Sequence, residues 1–410
     1  MLTALIKLLD IAARSLFVLL SLYALPIRST GQFGLALTLI GFFTFFSGFE
    51  RYVDLQRRMV GHDAVECDRL IVNSWQFYAT NYIACLPILL ALLVWWVSLP
   101  VDVALLCLVI AIGEHVSGEA YRIALIAPRY RAVLLTALAK NLALLLWAAS
   151  EIWLSHDQFD IHRLTAAWAG LSLLFVLVAA IVFTRSWAFP SLASVCGAKL
   201  TRIQQFRASR THFMIGLVAV GLLQCDRVVV GSLLSLEDSG IYFRHILLAS
   251  FAYQVFNVAS YGRVAAHVYQ HLHANRGHEA RAIIRREMTM LVPASALVIA
   301  VFYFLASDHG FIPALRSVNA NFLAVLTLGF LVRACADFNA LLLNGAYSER
   351  DVFVAQFSTL CITVLLNSAM TQYFGLVGTV VTVALGSCIY LLISSIYTRN
   401  NPSLNATLAT

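Results

Sequence analysis

Four side chains that can carry charge stand in one apolar stretch, 103–125: Glu114, His115, Glu119 and Arg122. With Gly118 they fall within about 140° of one helical face at 100° per residue. The opposite face is Val, Leu, Ile and Ala, and Pro128 ends the run. Two carboxylates beside an imidazole and a guanidinium have the chemistry to hold a proton, a cation or an anionic ligand. An ionisable group at bilayer depth costs roughly 2.5–3.5 kcal/mol, so such a stripe must face protein or water. Two accounts fit it. One is ion pairing that locks helices together, Glu119 with Arg122 and His115 with Glu119; the other is the wall of a water-filled cavity. The second is the stronger, because charge inside a membrane is functional by default.

The pattern recurs elsewhere. Lys7, Asp10, Arg14 and Ser21 make one stripe on the first apolar run, and Lys140, Glu151, Asp226, Arg227, Arg244, Arg333 and Asp337 lie within or near the ends of others. Snorkelling to the interface accounts for Lys7, Glu151 and Arg244. It does not account for Arg122, Lys140, Asp226, Arg227, Arg333 or Asp337. Arg333 and Asp337, one turn apart, are spaced to pair. Because guanidinium offers planar, bidentate contact to phosphate or carboxylate, Arg14, Arg122, Arg227, Arg244 and Arg333, with Lys140, are the candidate contacts to an anionic substrate. Glu114, His115, Glu119, Asp226 and Asp337 are the candidates for a coupling ion. Glu114 or Glu119 is the expected proton carrier, since alternating exposure moves each between water, a neighbouring cation and a drier environment. Gln254, Asn257 and Tyr261, and separately Asn73, Gln76 and Thr80, are available to sugar hydroxyls or equally to neighbouring helices.

The elements that must position these groups are membrane spans. Sixty per cent of the residues are hydrophobic, 12% are charged and the mean hydropathy is +0.82, which excludes a soluble domain of this length. Twelve spans can be drawn: 3–24, 33–52, 75–99, 103–126, 132–154, 164–184, 212–234, 240–262, 289–307, 321–345, 352–372 and 376–398. Lys7, Asp10 and Arg14 interrupt the first, and no small-residue cleavage site follows, so it is expected to remain as a span. Eighteen Lys and Arg fall on one side of the predicted membrane, among them Arg51, Arg58, Arg129, Arg207, Arg210, Arg281 and Arg399; only Arg28, Arg163 and Arg316 fall on the other. That asymmetry expects both termini in the cytoplasm. It also makes the net charge of +7 topological, rather than a footprint for nucleic acid.

The connections narrow the function classes. Those on the outer side are short, which argues against an enzyme that builds its site there. The longer inner linkers, 54–74, 185–211 and 263–288, hold no GxxxxGK[ST] loop, so no nucleotide motor or cofactor is expected. The eight cysteines form no CxxC pair and are expected to be free thiols. His267 and His271 have i, i+4 spacing for a metal, without a matching Cys or carboxylate set, so no metal site is expected. With His273 and His278 they read more ordinarily as a basic surface facing anionic headgroups.

The spans divide six and six, giving expected domains 1–198 and 199–410. The turn Leu25-Pro-Ile-Arg-Ser-Thr-Gly31-Gln-Phe33 is echoed by Leu234-Ser-Leu-Glu-Asp-Ser-Gly240-Ile-Tyr242, close to half a chain further on. On three segments the chain resembles Wzx-type polysaccharide flippases of the multidrug/oligosaccharidyl-lipid/polysaccharide exporter superfamily. STGQFGLALTLIGFFTFFSGFERYVDLQRR (29–58) is similar to that family's second-helix region, LLQCDRVVVGSLLSLEDSGIYF (222–243) to its seventh-helix pattern, and YFGLVGTVVTVALGSCIYLLISSIYTRN (373–400) to its last helix. The resemblance implies an all-α polytopic membrane protein of about 12 transmembrane helices, in two pseudo-symmetric six-helix bundles around a central cationic cavity. It implies flipping of an undecaprenyl-diphosphate-linked oligosaccharide, an O-antigen or exopolysaccharide repeat unit, from the inner to the outer leaflet of the bacterial inner membrane. Ion-coupled alternating access, with protons or sodium as coupling ion, membrane lipids as surroundings and polysaccharide polymerase machinery as a partner, belong to the same implication. A multidrug cation exporter of that superfamily, expected to have an acid-dominated cavity, is the main competitor. A membrane polymerase or ligase of lipid-linked sugars, or a scaffold, are the others.

Overall fold

In the computed structural model the described residues are 2–59, 63–154, 159–185, 202–256, 260, 262–274, 276–306 and 319–405, and among them there is no strand. They form two compact units, Met1–Leu217 and Val218–Thr410. The first holds α1 (Leu2–Ala24), α2 (Ile27–Gly48), α3 (Arg51–Met59), α4 (Ala64–Trp95), α5 (Val101–Ile126), α6 (Arg131–Leu154), α7 (Ile161–Arg185) and the first half of α8 (Arg202–Leu233). The second holds the rest of α8, then α9 (Leu236–Phe256), α10 (Gly262–His273), α11 (Gly277–Ala306), α12 (Ala320–Gly345), α13 (Glu349–Asn400) and α14 (Pro402–Asn405). This is an all-α polytopic membrane fold. Eight of the described helices are long and apolar enough to cross a bilayer, and one of them, α13, is a pair joined end to end. The expected domain boundary at 198/199, Cys196 and Arg316 lie outside the described residues.

The helices outrun their apolar cores. The sequence places the third span at 75–99, yet α4 begins eleven residues earlier, where the Asp63 side chain accepts from the Glu66 amide at 2.8 Å. Likewise α8 starts at Arg202 and α11 at Gly277, well ahead of 212 and 289. Two further helices, α3 and α10, occupy stretches expected to be linkers. The reason is amphipathicity: charge removes a segment from a hydropathy window without removing its helical period. In α3, Leu55 and Met59 are each 2% exposed and pack on Ile71, Ala120, Ile123 and Phe183, while Asp54, on the polar side, binds Arg51 and Arg58 at 2.9 and 3.0 Å.

Within the first unit α5 is central, packing on α2, α4, α6 and α7; in the second, α12 packs on α9, α10, α11 and α13. Gly375 divides α13. Its φ of 58° with ψ of −139° is a region that essentially only glycine enters. Three residues on, a Cβ at Gly378 would stand 2.0 Å from the Met370 carbonyl oxygen, so only a bare backbone permits that approach. Between α2 and α3 the chain turns through two consecutive left-handed residues, Phe49 and Glu50, each at φ 51°.

Candidate functional site: charge clusters around the fifth helix

One turn and a half of α5 carries two separate buried carboxylates. Glu114 points to α1, α6 and α7: Lys140 Nζ donates to it at 2.7 Å, Arg14 pairs at 3.0 Å, and the Trp168 indole donates at 3.3 Å. The Lys140 side chain is 2% exposed and Glu114 is 4% exposed, so this is a desolvated pair with a second cation at its rim. Beside it, Asp10 accepts from Lys7 at 2.9 Å and from Asn141 at 2.6 Å. A carboxylate one turn away thus holds Lys7.

Glu119 points instead to α3 and α4. It accepts from Arg122 at 2.5 Å and from the Tyr78 hydroxyl at 2.7 Å. The Arg122 guanidinium lies 3.8 Å over the Tyr52 ring, and its backbone carbonyl accepts from Gln56. The expected Glu119–Arg122 pair is present. The expected His115–Glu119 pair is replaced: Tyr82 of α4 reaches His115 Nδ1 at 2.6 Å, and the buried Nε2 has no hydrogen-bond partner among the described residues. That nitrogen sits 3.0 Å from where a side chain at Gly48 would begin. Near the start of α4, Asp68 is buried and binds both Tyr130, at 2.5 Å, and Arg129.

Just beyond the end of α2, Glu50, Arg51 and Tyr52 close this cluster. Burial pushes the Glu50 carboxyl above its usual range, against the opposing pull of Arg122 and a hydrogen bond from Tyr52. Burial, then the Glu50 charge, pushes the Tyr52 phenol up to about 12. Burial lowers Arg51, with Asp54 opposing. No sequence signal marked Glu50 or the tyrosines as members of the cluster.

Against the same end of α2 lies a cavity of about 580 Å³, lined by α2, α4 and the first turns of α8, with Phe46, Phe49, Phe77, Phe206, Arg207 and Arg210 on its wall. Phe49 stacks on Phe213 at 3.8 Å and meets Phe206 at 4.6 Å.

The second unit carries a sparser set. Asp226 accepts from Tyr242, and Asp337 accepts from Tyr253 at 2.5 Å. Arg333 does not bridge to Asp337; its Nη1 donates to the Leu222 carbonyl at 2.9 Å, so a tyrosine from α9 takes the position expected of the arginine. Asp226, Arg333, Thr363, Ser387 and Tyr390 border a cavity of about 30 Å³, the size of a water or two. Arg227 is buried with Nε unpartnered, and Arg244 is half-buried on α9. Gln254 is exposed, while Asn257 and Tyr261 lie outside the described residues. His271 bonds Glu279 at 2.8 Å, and no cluster of three or more metal-ligating side chains occurs among the described residues.

Helix order, two units and buried charge on intramembrane helices define a polytopic membrane protein with the fold of MOP-superfamily transporters. The match to the inward closed conformation of the lipid II flippase MurJ has a TM-score of 0.72 at 12% identity, over 98% of this chain and 89% of that one. An inward-facing multidrug resistance MATE family transporter matches at 0.70 and 14%, over 99% and 96%. A mutant Vibrio cholerae MATE transporter, VcmN, matches at 0.55 and 12%, over 98% and 97%. No protein-family model and no curated protein sequence matches the chain. At 12–14% identity the likeness is one of fold.

Proposed function

We propose that this chain is an alternating-access secondary transporter, with 1–198 and 199–410 as its two bundles, whose cargo is an amphiphilic anion of the lipid-linked oligosaccharide diphosphate class. One observation carries the reading of the cargo: four buried acids of the first unit are already matched by cations from within. Glu114 has Lys140 and Arg14, Glu119 has Arg122, Asp68 has Arg129 and Asp10 has Lys7. A lipophilic cation entering there would have to displace an internal partner. An anion has Arg14, whose side chain is 43% exposed, and Arg122, 34% exposed, to meet. Arg227, Arg244 and Arg333 are the corresponding candidates in the second unit.

Within this reading the preferred candidate for the coupling ion shifts. Glu114 and Glu119 are each held by a cation within 3 Å, whereas Asp337 has a tyrosine and His115 has one empty ring nitrogen. Asp337 and His115 are therefore the better carriers of a coupling proton, with Asp226, held by Tyr242, next. The bacterial inner membrane, with both termini cytoplasmic, is the matching location.

The second reading, a multidrug or cation exporter, draws on the likeness to MATE transporters, one of which matches nearly the whole of both chains. Expression in cells stripped of their own drug exporters separates the two. The anionic reading expects unchanged ethidium accumulation; energy-dependent ethidium efflux that is abolished by D337N would favour the exporter.

A further inference from the structure

The 580 Å³ cavity of the first unit is used by none of the charge clusters, and its wall is divided by chemistry. Phe46, Phe49, Phe77 and Phe206 make one part apolar, and the neighbouring α4 residues Ile83 and Ile88 are 77% and 61% exposed. Arg207 and Arg210, one turn apart on α8 and both exposed, supply the other part. No carboxylate lines the cavity among the described residues. The other polar groups on the wall are neutral and partly engaged: Thr80 donates to the Gln76 carbonyl at 3.0 Å and Asn81 to the Ser47 carbonyl at 3.0 Å. Among the described lining residues the two guanidiniums are the charged donors an anion would meet, and the four phenyl rings suit a hydrocarbon continuation. Free phosphate would satisfy the arginines and leave four phenyl rings facing water. A phosphate-headed lipid satisfies both parts, and the volume suits a headgroup with the upper part of its chains.

We propose that this cavity is a binding site for an anionic phospholipid of the surrounding bilayer, its phosphate on Arg207 and Arg210 and its chains on the phenylalanines and the exposed edge of α4. Basic pockets beside spanning helices take such headgroups through charge-assisted bonds, and guanidinium does so bidentately. The lipid would tie the start of α8 to the end of α2, where the Phe49–Phe213 stack already joins them. The site rests on the membrane-transporter reading only for the bilayer around α4.

The test is lipid retention by the purified full-length protein in detergent, read by native mass spectrometry, and it requires no transport. Dioleoyl phosphatidic acid should be retained at concentrations about tenfold or more below those needed for dioleoyl phosphatidylcholine, a one-decade difference worth about 1.4 kcal/mol. The exposed pair R207Q/R210Q should erase that preference without loss of folded protein, and F206A should weaken both lipids alike. Millimolar inorganic phosphate should not displace phosphatidic acid. Equal retention of the two lipids by the wild type, an undiminished preference in R207Q/R210Q, or displacement by inorganic phosphate would each overturn the proposal.

Discussion

Glu114, a coupling candidate by sequence, sits in the geometry of an ion pair that can hold helices together. Lys140, 2% exposed, has this carboxylate as its hydrogen-bond acceptor. E114Q should therefore strand a buried ammonium at a cost of about 3–5 kcal/mol, and K140M added to it should restore most of the loss. Thermal unfolding of the two singles and the double checks this, since a coupled pair appears as non-additivity. A proton carrier would behave differently: E114Q would mimic its protonated form, keep its melting temperature and lose only gradient-driven transport. Glu50 has a separate signature. Its folded-state pKa is raised, chiefly by burial, so between the unfolded and folded values the native protein holds more protons than the unfolded chain. Stability is then greatest below the unfolded value, near pH 4.5, and declines as pH rises from there through the folded value. E50Q should flatten that decline and melt higher than wild type at neutral pH, with the difference shrinking in acid. The Glu119–Arg122 pair was legible because both residues sit on one helix at i, i+3. Tyr78, Tyr82 and Tyr253 were not, because each crosses to another helix from 41, 33 and 84 residues away. Periodicity says which face a residue occupies, never which neighbour it meets.

The same division holds among the elements. Apolar runs located the spans, but the charged ends of α4, α8 and α11 and the amphipathic α3 and α10 escaped, because hydropathy is blind to a helix that continues into water. The break in α13 was legible as the gap between 372 and 376, although its cause was not. Gly375 adopts φ 58° and ψ −139°, which costs a residue with a Cβ about 1–3 kcal/mol. G375A should lower the melting temperature accordingly. G378A should do worse, because its methyl group would enter the Met370 carbonyl and force the two arms of the helix apart.

For the molecule as a whole, the distribution of Lys and Arg makes a topological claim. Reporters fused after Arg58 and Arg281 should read cytoplasm, and one fused after Leu236 should read the outer side. A reversal at any of these would undo the twelve-span arrangement on which the charge clusters are read as intramembrane. The overall architecture was legible from composition and charge alternation because both follow from the bilayer, which imposes helix length and loop sign on every chain that crosses it. Cargo is not imposed in that way; it depends on which buried charges remain unpaired, and that emerges only from side-chain geometry. The central claim, transport of an amphiphilic anion, is tested most directly in liposomes. Protein would be reconstituted with a fluorescent polyprenyl-diphosphate saccharide confined to one leaflet, and its arrival in the other followed by a membrane-impermeant quencher, with a lipophilic cation followed in parallel. The account predicts protein-dependent flipping of the saccharide lipid, lost in R122K, which keeps a cation on Glu119 but not the bidentate guanidinium, at undiminished folded protein, and no movement of the cation. Movement of the cation with the saccharide lipid left in place would contradict it.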